Sequence, residues 1–123
     1  MRIEDFGNWT SNGRNVSGAD VTIQAVITSD KRQVCEITVR NGKAKLFKSG
    51  RISVLPIIAM MLIKDDENGT KLSQVSAQTS RTRISDPDVW EWAKRRAGDY
   101  NLRYAPKEEV FYINATKPDE IGL

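Results

Sequence analysis

Between Lys31 and Arg51 the chain places seven basic residues, Lys31, Arg32, Arg40, Lys43, Lys45, Lys48 and Arg51, against the single acid Glu36. Ammonium and guanidinium groups at that density, with Phe47 among them, have the chemistry to follow phosphate oxygens and stack a base. The formal charge of the whole chain is only +3 over 123 residues, so the rest of the sequence is net acidic. Arg40, Lys43, Lys45, Lys48 and Arg51 are therefore the candidate charge of an anion-binding surface, and Phe47 its candidate stacking face. A second basic group, Arg81, Arg83, Lys94, Arg95, Arg96 and Arg103, is interleaved with Asp86, Asp88, Glu91 and Asp99 and is nearly balanced.

Two counts bound the remaining chemistry. Histidine is absent, which removes the imidazole base and every Ser-His-Asp or Cys-His pair. Cys35 is the one cysteine, which removes an internal disulfide and a thiolate zinc site. The carboxylates do not fill the gap. Aligned on the glycine of a calcium loop, Gly69 puts Asp66 and Asn68 at ligand positions, but Lys64 and Val75 stand where the first and last carboxylates belong. Asp20 and Glu36 are followed by Thr38 where a metal-dependent nuclease needs lysine, so that enzyme is a minor reading. No glycine-rich phosphate loop is present. The expectation is a non-enzymatic binding protein, without cofactor or metal, that holds a nucleic acid or an anionic nucleotide. The alternative is a small interaction or inhibitor protein, of the kind mobile elements encode, docking on a larger protein through Trp9, Trp92, Arg95, Arg96 and Arg103 or through an exposed sheet edge.

The elements that must position these groups are partly legible. Val21, Ile23, Ala25 and Ile27 alternate with polar or smaller residues, as do Cys35, Ile37 and Val39, which is the period of half-buried strands. Asn41-Gly42 is the strongest short hairpin signal. It predicts a third strand over 43–47, with Arg40 facing Lys43 and with Arg40, Lys43, Lys45 and Phe47 on the solvent side. Residues 52–63 leave two alternatives: a helix opened by Pro56, or a strand entering a second hairpin through Asn68-Gly69 with 70–84. A helix is predicted over 86–97, started by Ser85 and Asp88 with Pro87 in the first turn and stopped by Gly98. Val89, Trp90, Ala93 and Ala97 form its apolar face, with Trp92 off it. Two short strands follow over 102–104 and 110–113.

The whole is predicted to be one α+β domain, 1–123: a mostly antiparallel sheet, made of an N-terminal three-stranded meander and a second hairpin, with one C-terminal helix packed on it. Residues 1–20 read as a turn-rich segment and 116–123 as a frayed tail. The longest apolar run, Ile52 to Ile63, is well short of the ~20 residues that span a bilayer, and the N-terminus carries no secretory-type apolar stretch. A cytoplasmic protein away from membranes is expected, and a sheet edge leaves a homodimer open.

Overall fold

The computed structural model describes residues 18–117. The chain runs β1 (Val21–Ile27), β2 (Gln33–Val39), a 3-10 turn (Lys43–Leu46), β3 (Arg51–Ile57), β4 (Met60–Asp65), β5 (Thr70–Lys71), β6 (Ser73–Ser76), β7 (Thr79–Ile84), α1 (Pro87–Arg96), β8 (Gly98–Tyr100), β9 (Arg103–Ala105) and β10 (Val110–Asn114). The class is α+β: two antiparallel five-stranded sheets and one main helix packed on them.

One sheet has the order β6-β7-β2-β1-β8, the other β5-β3-β4-β10-β9. Their edge strands are consecutive in the chain. Only Leu72 separates β5 from β6, and only Asn101 and Leu102 separate β8 from β9. The chain therefore switches sheets at both edges, and the two sheets form one contour.

The core follows from strand alternation. Val21, Ile23, Cys35, Ile37 and Val39 of one sheet share a cluster with Ile52, Met61, Ile63 and Ile113 of the other, and Val89, Trp92 and Ala93 of α1 complete it. On the opposite face of the second sheet Met60, Leu62, Ala105, Val110 and Tyr112 form a smaller cluster, joined by Ile57. Asp86, not Ser85, caps the helix, accepting from the amides of Asp88 and Val89 at 2.8 and 3.1 Å. Trp92 is not off the buried side: it is 2% exposed, and its indole N–H donates to the Ile58 carbonyl at 2.8 Å. The helix touches β1 and β2 on one side and β3 on the other, so both tryptophans find cover.

The β1–β2 hairpin is as expected, with Val21 opposite Val39 and Ile27 opposite Gln33. The third strand is not. Asn41 and Gly42 do take the left-handed conformation, with φ of 59° and 70°, but the chain then coils into the 3-10 turn, and β7 takes the place beside β2. Two interactions hold this course. The Gly42 amide donates to the Gln78 carbonyl, at the turn between β6 and β7. Phe47 turns inward to 2% exposure and meets Phe111 edge-on, ring centroids 5.4 Å apart.

The 52–63 ambiguity resolves as strand, but the hairpin is β3–β4, turning at Ile58-Ala59 with Ile57 opposite Met60. Asn68-Gly69 instead carries the chain back to the far side of β3, where Lys71 lies opposite Arg51. Gly69 is required there, because a Cβ would stand 2.3 Å from the Ile52 carbonyl oxygen. At the C-terminal end, Thr116 is buried and bonded to Asn114 Oδ1 and so is not frayed, while 118–123 lie outside the described residues.

Candidate anion-binding cleft

The basic residues singled out from sequence do not form one hairpin face. Arg40 follows the last residue of β2, half-buried, and its guanidinium donates to the Thr22 hydroxyl, which in turn donates to Asp99 at 2.7 Å. Lys43 and Lys45 sit on the 3-10 turn, neither opposite Arg40 in a ladder. Lys48 is exposed in the following loop, where its amide and that of Ser49 donate to the Asp65 carboxylate at 3.0 and 3.1 Å. The Ser49 hydroxyl also reaches Asp65 and is the main reason its carboxyl lies below the usual aspartate value. Phe47 is in the core and cannot stack a ligand.

Arg51 is the residue of that set that leads to a site. Opposed strand partners point to the same face with Cβ atoms about 5 Å apart, so Arg51 and Lys71 form a like-charge pair. The Arg51 guanidinium is held by the Gly69 carbonyl at 3.0 Å. Immediately beyond Lys71 the chain crosses to the other sheet, with Leu72 pinned in the core. There an open cleft of about 380 Å³ is lined by Thr70, Lys71, Ser73, Val75, Arg81, Thr82 and Arg83.

Three cations thus line one concavity, with the hydroxyl-bearing Thr70 and Ser73 beside them. Arg81 and Arg83 alternate along β7 and lie on one face of it, 43% and 53% exposed. Thr82, between them, is 4% exposed, and its hydroxyl has no hydrogen-bond partner. Beyond Arg81 the described residues place no strand on the outer side of β7, because β6 pairs only over 79–81. Among the described residues the acid in contact is Glu36 of β2, opposite Arg83, which accepts from Arg83 Nε at 3.0 Å and lies 3.8 Å from Arg81 Nε. Val75, half exposed, gives the cleft an apolar wall.

Sequence reasoning passed over Lys71 and set aside Arg81 and Arg83 as balanced by nearby acids. The signal that could have found the arginines is the alternation Arg81-Thr82-Arg83 within a strand-like stretch, which puts both cations on one face and their acidic sequence neighbours on a helix. Of the proposed partner contacts, Trp92 is in the core, so its docking role falls. Arg96 is half-buried with its Nη1 on the Ala115 carbonyl at 3.0 Å, Arg103 is half-buried on β9, and Arg95 is exposed. Trp9 lies outside the described residues.

Among the described residues no group of three His, Cys, Asp or Glu side chains is placed to hold a metal ion, and no helix is long and apolar enough to cross a membrane. Cys35 lies in the core, where burial pushes its thiol up to about 12. Compared with protein-family models, curated proteins and solved structures, the chain matches none.

Proposed function

We propose that the protein is a non-enzymatic binding protein that holds a phosphate-bearing ligand, a nucleic acid or a nucleotide, in the cleft where the chain passes from β5 to β7. The observation that carries the reading is the convergence of Lys71, Arg81 and Arg83 with Thr70 and Ser73 around one open concavity. Oxyanions are bound by this combination, in which charge-assisted bonds come from the cations and further donors from hydroxyls. An anion also relieves the repulsion between Arg51 and Lys71. The wall at Val75 replaces Phe47 as the apolar contact for a base or sugar. A cytoplasmic location is part of the same proposal.

Fluorescence anisotropy with labelled single-stranded and duplex oligonucleotides, and competition by a mononucleotide and by inorganic phosphate, tests this. Polymer binding should weaken steeply between about 50 and 200 mM salt. Arg83→Glu and Lys71→Glu should each weaken it about tenfold or more, since a hydrogen bond to a charged group contributes about 1.5–3 kcal/mol. Lys43→Glu and Lys45→Glu should do much less. No binding to any of these ligands at low salt, or a larger loss at Lys43 and Lys45 than at Lys71 and Arg83, would overturn the proposal.

A further inference from the structure

A second cleft, of about 420 Å³, has the opposite chemistry. It is lined by Ile63, Lys64, Asp65, Tyr104, Glu108, Glu109, Val110 and Phe111, at the end of β4 and under the turn between β9 and β10. Tyr104 and Phe111 are strand partners, with ring centroids 4.8 Å apart, and Tyr104 is 49% exposed. Beside them the Glu108 carboxylate keeps one oxygen, Oε1, buried and without a hydrogen-bond partner.

A buried carboxylate oxygen with no donor is costly, so the absence of an internal partner needs a reason. The neighbouring charges do not supply one. Asp65 is already occupied by the Ser49 hydroxyl and the amides of Lys48 and Ser49. Lys64 alternates along β4 to the face opposite that of Ile63 and Asp65, and its side chain is exposed. A hard divalent ion wants six or more oxygens, and no cluster of three ligating side chains occurs among the described residues. One unsatisfied carboxylate oxygen beside two aromatic rings suits a different guest. Ammonium and guanidinium groups are attracted to ring faces and donate directly to a carboxylate.

We propose that this cleft binds an organic cation, the ammonium or guanidinium end of a ligand, with Glu108 as counter-ion and Tyr104 and Phe111 as its aromatic wall. The site is independent of the anion cleft.

The test is ¹⁵N NMR titration of the full chain with N-acetyl-L-arginine amide, n-butylammonium and the capped peptide acetyl-Gly-Arg-Gly-amide, using N-acetyl-L-citrulline amide and n-butanol as neutral isosteres. Binding should shift amides in 63–65 and 104–111, and each neutral isostere should bind at least tenfold more weakly than its cation. Glu108→Gln, which keeps the side-chain shape, should weaken cation binding at least tenfold. Tyr104→Ala, at an exposed position, should weaken it several-fold while the rest of the spectrum stays native. Tighter binding of the peptide than of n-butylammonium assigns the cation to a protein side chain, and the reverse to a small amine; either supports the site. Equal shifts from N-acetyl-L-citrulline amide, unchanged affinity in Glu108→Gln, or shifts confined to other regions would overturn it.

Discussion

Replacing Glu36 by glutamine separates the charge logic of the anion cleft from the stability of the sheet that carries it. Glu36 is the acid bonded to Arg83, its side chain is only 12% exposed, and Arg81 lies on its other oxygen. Both guanidiniums are more than a third exposed, so the pairs are screened and contribute about 0–1 kcal/mol to folding. In a domain of this size that loss lowers Tm by no more than about 8 °C. The effect on binding has the opposite sign. A phosphate oxygen taken by Arg83 would sit about 6 Å from the carboxylate, since the Glu36–Arg83 bond is 3.0 Å and a charge-assisted bond to phosphate adds about 2.8 Å. At 6 Å, with an effective dielectric constant of roughly 40–80, the repulsion removed is about 0.7–1.4 kcal/mol. Glu36→Gln should therefore tighten oligonucleotide binding about three- to tenfold at low salt. It should also steepen the plot of log affinity against log salt by about 0.7, the equivalent of one more neutralised phosphate on a single strand. Anisotropy titrations at four salt concentrations, with thermal melts alongside, measure both. An unchanged or weakened affinity in a variant that melts normally would refute the reasoning.

Cys35 should resist thiol reagents in the folded protein at pH 8 and react fully in denaturant. Because its thiol is raised from 9.0 to about 12, the unfolded chain loses the proton first, so stability should fall as pH rises across that interval; denaturant titrations between pH 8 and 10.5 check the sign. Trp92→Phe removes the donor to the Ile58 carbonyl and part of a side chain that is 2% exposed, and should cost about 2–4 kcal/mol by urea denaturation. Ile58→Asn should stabilise by about 1 kcal/mol, because a β-branched residue at φ 51° and 74% exposure gives up strain and little burial. Asp86→Ala removes the cap of α1 and should cost about 0.5–2 kcal/mol in the same assay.

Local signals were legible where the chain decides locally. The alternation of β1 and β2, the left-handed pair Asn41-Gly42, and the start and stop of α1 all read correctly to within a residue or two. A turn signal reports the conformation of the turn, however, and not which strand lies beside the one it leaves. The slot next to β2 went to β7, forty-odd residues on in the chain, and that long-range competition decided the fate of Phe47. Trp92 was misplaced for a related reason. A helix packed on one sheet has one apolar stripe, whereas α1 touches both sheets and buries more of its circumference. The cleft was hidden because charge was counted along the sequence: Asp86 and Asp88 seem to cancel Arg81 and Arg83 on paper, yet they belong to the cap and first turn of a helix.

The passage of the chain between sheets at Leu72 and at Asn101-Leu102 has a kinetic consequence. The pairings that complete the contour join Val21 to Tyr100 and Ile63 to Phe111, partners far apart in the chain. Closing loops of that length takes entropy out of the chain before many contacts have formed, and topologies dominated by such pairings fold in milliseconds to seconds. The β1–β2 and β3–β4 hairpins can form early, each from neighbouring residues. During synthesis, the β1 edge that β8 will cover and the β4 edge that β10 will cover stay open until those last strands emerge. That interval is when the chain is most exposed to pairing with another copy of itself, and a chaperone would have the most to protect.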